Sequence, residues 1–105
     1  MKYITDWKDR ELRFTDERLE HIRNDHPEMR GQFDKVERTL HNPDIVVKSR
    51  TDEKVKLIYK KFNKTPVTEK FLCVVVKTGV LSPFVITVYF TDTIKAGEVL
   101  WRKKK

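Results

Sequence analysis

Lys70-Phe71-Leu72-Cys73-Val74-Val75-Val76-Lys77 and Phe84-Val85-Ile86-Thr87-Val88-Tyr89-Phe90-Thr91, separated by a turn from Gly79 to Pro83, decide the fold. The first run is almost unbroken in apolar residues, as a strand buried on both faces requires. The second alternates. Its pattern predicts Phe84, Ile86, Val88 and Phe90 on a covered face and Val85, Thr87, Tyr89 and Thr91 on an open, hydroxyl-bearing one.

Working backwards, Asn63 to Thr68, with Pro66, reads as a loop, and Val55 to Phe62 as a strand preceded by a polar turn from Ser49 to Glu53. Ile45-Val46-Val47 opens a strand antiparallel to it. In the Val55–Phe62 strand, Tyr59 and Lys61 share one face and Lys60 the other. Forwards, Lys95 to Trp101 has the composition of a short edge strand.

Upstream of the sheet the period becomes helical. Met29, Phe33, Val36 and Leu40 recur at spacings of four, three and four, which is one helix face, and Asn42-Pro43 ends it. Thr15 is an N-cap residue followed by acidic Asp16 and Glu17, so a first helix is predicted to about Asp25. Pro27 turns His26-Pro27-Glu28 into a corner and opens the second helix. Tyr3 to Trp7 and Glu11 to Phe14, about the polar Lys8-Asp9-Arg10, predict a β-hairpin. The expected class is α+β: a hairpin and two helices packed on a four-stranded, or five-stranded, antiparallel sheet.

The 105 residues suit one domain, 1–105, with a basic C-terminal tail at 102–105. The chain carries 23 Lys and Arg against 16 Asp and Glu, a net +7 that suits polyphosphate partners. Arg102 to Lys105 supply four of those charges; taking four from +7 leaves +3, a much weaker footprint. Cys73 is the only cysteine, which excludes an internal disulfide and fits a reducing cytoplasm. No apolar run approaches the roughly 20 residues of a membrane span, and no basic-then-apolar signal opens the chain, so no membrane partner is expected.

No phosphate-binding Gly-rich loop, zinc-protease helix pair, paired-Cys spacing or nucleophile elbow is present. His21 and His26 lie five apart on opposite sides of a helix, so neither metal nor cofactor is expected. What remains suits metal-independent RNA cleavage, which needs a proton acceptor for the 2′-hydroxyl, a donor for the departing 5′-oxygen, and cations for the phosphate. His26, fixed at a helix corner, is the leading acid or base; its other reading is a half-buried backbone cap. His21 is held in reserve. Arg50 suits bidentate phosphate contact or a plain surface charge. Tyr59, Lys61, Thr87, Tyr89 and Thr91 suit stacking and phosphate contact on one groove, or an ordinary exposed β-face.

Arg18-Leu19-Glu20-His21-Ile22, His26-Pro27-Glu28, Thr39-Leu40-His41-Asn42-Pro43-Asp44, the two strands quoted above and Lys95-Ala96-Gly97-Glu98 together resemble small phage and bacterial members of the barnase, EndoU, colicin and RelE-like (BECR) nuclease superfamily. The likeness runs from about Thr15 to Trp101. It implies helices packed on an antiparallel sheet and RNA cleavage at the sheet's open face. Carried over, it assigns the histidine to His21 or His26, the basic positions to Arg50 and Lys77, and the hydroxyls to Thr87, Tyr89 and Thr91.

The expected function is a metal-independent endoribonuclease of toxin or phage-effector type that leaves a 2′,3′-cyclic phosphate. Its partners would be RNA and a cognate antitoxin or immunity protein. His26, His21, Arg50, Tyr59, Thr87 and Tyr89 are the candidate catalytic residues; Lys61, Lys77, Thr91 and Lys95 are the candidate substrate-binding ones. The alternatives are a non-catalytic RNA-binding module on the same face, or an interaction domain that uses an exposed Trp7 or Trp101.

Overall fold

The computed structural model describes residues 2–66 and 68–104; Val67 of the predicted loop and Lys105 of the predicted tail lie outside the described residues. The chain is α+β, with strands β1 (Lys2–Thr5) and β2 (Glu11–Phe14) and helix α1 (Asp16–Asp25) leading. A 3-10 turn (Pro27–Met29) and helix α2 (Phe33–His41) follow. Strands β3 (Ile45–Lys48), β4 (Val55–Phe62), β5 (Lys70–Lys77), β6 (Phe84–Thr91) and β7 (Val99–Arg102) complete it.

All seven strands share one sheet, ordered β1-β2-β6-β5-β4-β3-β7. The expected four or five strands are thus corrected upward, because the N-terminal hairpin joins the sheet rather than packing on it and β7 pairs with β3. The sheet is also mixed. β2 lies parallel to β6 through the single register pair Arg13↔Phe84, where the Arg13 N–H donates to the Pro83 carbonyl at 2.9 Å.

Local chemistry explains the elements. The buried Asp6 carboxylate accepts the backbone N–H groups of Lys8 and Arg10, both at 2.9 Å, and Arg10 Nε at 2.8 Å, which closes the β1–β2 turn around Asp9 at a φ of 60°. Thr15 Oγ1 accepts the Arg18 N–H at 3.1 Å and caps α1. Pro27 ends that helix by pushing His26 to φ −132° and ψ 75°. The stripe from Met29 to Leu40 is not one helix: Gly31, at a φ of +74°, breaks it into the 3-10 turn and α2, although Met29, Val36 and Leu40 still point into one core.

That core is the helix-covered face. Leu12, Leu40, Ile58, Leu72, Val74, Val76 and Val88 are sealed there, with Ile22 and Met29 from the helical region. Trp7 and Trp101 pack against the same core, so neither is the exposed interface residue expected; among the described residues the exposed large apolar ones are Tyr3, Leu81, Val99 and Leu100. The two faces of β6 are corrected too. Val75 pairs with Thr87 but Val76 with Val85, so Ile86 is an extra residue, and the bulge turns Val85 into the helix-side core.

The opposite face is less open than its alternation predicts. Ile45, Val47, Leu57, Tyr59 and Cys73 form a second buried cluster to which no helix contributes. Ile94, in the segment between β6 and β7, packs on it. That segment divides this face into a covered part and a groove.

Candidate functional site

The groove encloses about 380 Å³ and is lined by the β3–β4 turn, by Leu57, Val75, Thr87 and Tyr89 from the sheet, and by Lys95 and Ala96 of the overlying segment. Its floor is apolar. Arg50 enters from the turn, which is held in shape by the Ser49 N–H donating to the Val55 carbonyl at 2.9 Å and the Lys54 N–H donating to Asp52 Oδ1 at 2.9 Å. The Lys54 N–H, followed by the Lys77 ammonium, holds the Asp52 carboxyl below its ordinary value.

Tyr89 joins the groove to the helices. Its ring lies 6.1 Å from the His26 imidazole at an interplanar angle of 33°, while the same ring lines the groove. Because β2 pairs with β6 only at Phe84, the rest of that edge of β6 has no strand beside it, and the end of α1 reaches it. His26 itself does not line the groove; it reaches it through Tyr89. Glu28 Oε1 stands 3.5 Å from His26 Nδ1, both side chains about one-third exposed, so a carboxylate sits against the imidazole. Two residues beyond a corner histidine, across a proline, Glu28 was the signal in the sequence for this pair and carries no role in the prediction above.

The cations separate into two groups. Lys61 pairs with Glu69 at 3.0 Å and Lys77 with Asp52 at 3.5 Å, so two of the predicted phosphate contacts already hold carboxylates. Among the described residues, Arg50 and Lys95 have no carboxylate within 4.0 Å, and both face the groove. An unpaired cation over an apolar floor is the more available one for an incoming phosphate. Ser49 and Thr51, also on the rim, add hydroxyls that the sequence reading did not single out.

The other predicted residues fall outside this arrangement. His21 is exposed on α1, 3.9 Å from Glu17. Thr91 Oγ1 donates to the Thr93 carbonyl at 3.2 Å and accepts the Thr93 N–H, a local turn at the end of β6. Tyr59 is 0% exposed and its hydroxyl accepts the Lys95 backbone N–H at 3.1 Å, so it has no face to offer a base. Tyr89 offers its ring.

Below the groove, Tyr59, Cys73 and Tyr89 crowd three weak acids together. Burial pushes the Tyr59 hydroxyl up to about 12, against a backbone donation from Lys95 that lowers it. Burial likewise pushes the Cys73 thiol up to about 11, and Tyr89 well above its ordinary range. All three stay protonated at neutral pH, which removes Tyr89 as a phenolate base. The folded state therefore holds these protons more tightly than the unfolded chain, and stability is retained below pH 9 and lost as pH rises towards 12. Chemical denaturation between pH 8 and 11.5 is expected to show this fall; Cys73→Ala should make it shallower between pH 9 and 11, and identical pH slopes in both proteins would refute the assignment.

No protein-family model matches the chain, and comparison with curated proteins and with solved structures returns no match. Among the described residues, no group of three His, Cys, Asp or Glu side chains converges as a metal site, and no helix is long and apolar enough to cross a membrane.

Proposed function

We propose that the groove binds RNA and that the protein cleaves it as a metal-independent endoribonuclease. The observation that carries the reading is the His26–Tyr89 ring contact at a groove whose two unpaired cations are Arg50 and Lys95. In this reading a 2′-oxygen attacks the adjacent phosphorus, the P–O2′ bond forms, and the P–O5′ bond breaks. The 2′-hydroxyl proton leaves to a base, and the 5′-oxygen takes one from an acid, leaving a 2′,3′-cyclic phosphate and a 5′-hydroxyl.

In this reading the RNA strand runs from the groove past the Tyr89 ring to the helix corner, where His26, with Glu28 against its Nδ1, exchanges one of those protons. An imidazole is the side chain suited to do so near neutral pH. Arg50 and Lys95 hold the phosphate oxygens and offset the charge that gathers on them in the transition state. Tyr89 stacks on a base and Thr87 orients the sugar-phosphate from the floor of the groove. Lys61 and Lys77 are left out of the mechanism because each is spent on a carboxylate.

The test is incubation of the purified protein with labelled single-stranded RNA in excess chelator. Fragments ending in a cyclic phosphate are expected. Salt-dependent binding without scission would instead make the protein an RNA-binding module, and indifference to RNA would leave the interaction-domain reading, with a cognate antitoxin or immunity protein as the partner to seek.

A further inference from the structure

The segment between β6 and β7 walls the groove, yet it contains no regular structure over Asp92 to Glu98 apart from turns and bends. It is nevertheless held at three points. Ile94 packs on the second apolar cluster. The Lys95 N–H donates to the Tyr59 hydroxyl at 3.1 Å, a bond spanning 36 residues. At the far end, the Lys48 N–H donates to the Glu98 carbonyl at 2.8 Å and Lys48 Nζ pairs with Glu98 at 3.1 Å.

Between the last two points lies Gly97. A Cβ there would stand 2.6 Å from the Lys48 carbonyl oxygen and 2.8 Å from Val47 Cγ1, and 3.7 Å from Arg50 Cγ. The first contact is with the backbone of β3, so it cannot be relieved by swinging a side chain; the segment itself would have to lift. The absence of a side chain at Gly97 therefore lets the wall lie directly on β3, beside the stem of Arg50.

We propose that Tyr59 and Gly97 are positioning residues: together they clamp the segment from Asp92 to Glu98 onto the sheet, and so fix Lys95 at the groove that Arg50 also lines. This deepens the RNA reading and rests on it for the ligand, although the clamp itself is a statement about the fold. Neither residue touches the groove's contents. Each acts through Lys95 and Arg50, the groove-lining cations that have no carboxylate within 4.0 Å among the described residues.

Amide hydrogen exchange and binding of a single-stranded 2′-O-methyl RNA, which cannot be cut for want of a free 2′-hydroxyl, test the clamp in the full chain. In Tyr59→Phe, which removes only the acceptor oxygen, protection of the Lys95 amide is expected to fall about tenfold, with Ile58 and Val74 in the β4–β5 ladder unchanged. RNA affinity should fall about threefold to tenfold, and this loss should disappear when Tyr59→Phe is made in a Lys95→Ala background. Gly97→Ala should move the Arg50 and Lys95 amide resonances and weaken binding further. Unchanged Lys95 protection in Tyr59→Phe, or an affinity loss that persists without the Lys95 side chain, would overturn the proposal. Should the wild-type protein bind no RNA, the functional reading fails by itself, and Lys95 protection still decides the clamp.

Discussion

His26→Ala is expected to lower RNA cleavage by about 10²–10⁴-fold, the range a positioned acid or base contributes, with RNA affinity changed by less than about threefold. The separation follows from where the side chain stands. The backbone of His26 ends α1 through its N–H to the Ile22 carbonyl at 2.8 Å and starts the 3-10 turn by accepting the Met29 N–H at 2.9 Å. Alanine keeps both. What it removes is an imidazole that is one-third exposed and lies against Tyr89 and Glu28, so the variant is expected to fold while losing the proposed proton transfer. Glu28→Gln should give a smaller loss, about tenfold, because it leaves the imidazole in place and removes only the charge beside it. Equal rates for wild type and His26→Ala would remove the histidine from the chemistry.

The second large effect is on stability and divides the two faces of β5. Leu72→Ala is expected to cost about 2–5 kcal/mol, since Leu72 is fully buried in the helix-side core and the sheet around it cannot close the cavity. That is a large fraction of the roughly 5–15 kcal/mol that holds a domain folded. Val75→Ala, three residues on but facing the groove, leaves no sealed cavity and should cost about 1 kcal/mol or less, while weakening RNA binding several-fold. Urea denaturation and RNA titration of the two variants check this; equal destabilisation would mean that the groove side is as closely packed as the helix side.

Much of the scaffold is legible in the chain because it is set locally. Thr15 and the two acids after it mark the start of α1, Pro27 marks its end, a nearly unbroken apolar run marks β5, and alternation marks β6. Gly31 offered a local signal as well, since a glycine inside a helical stripe invites a break. Long-range features carried no such mark. The bulge at Ile86 depends on how β6 fits β5, and nothing in Phe84 to Thr91 distinguishes it from unbroken alternation. Nor does Glu11 to Phe14 reveal that it will lie parallel to β6.

The site divides the same way. Thr87 and Tyr89 are legible as groove residues from their strand positions, and Arg50 from its place in the turn after β3. Tyr59 shares the face of β4 that its alternation predicts, but its burial comes from the segment around Lys95 closing over it, a contact that no pattern near Tyr59 announces. Lys61 and Lys77 each face a carboxylate and lie outside the groove lining, whereas Lys95 lines it. Charge counting treats the three alike; geometry leaves only Lys95 with the groove.

Backbone and side-chain chemical-shift mapping with the uncleavable 2′-O-methyl RNA locates the binding face directly. Perturbations concentrated at Arg50, Thr87, Tyr89 and Lys95, extending through the Tyr89 ring to His26, are the expected result. Perturbations confined to α1 and α2, or spread over the paired surface lysines with the groove silent, would contradict it.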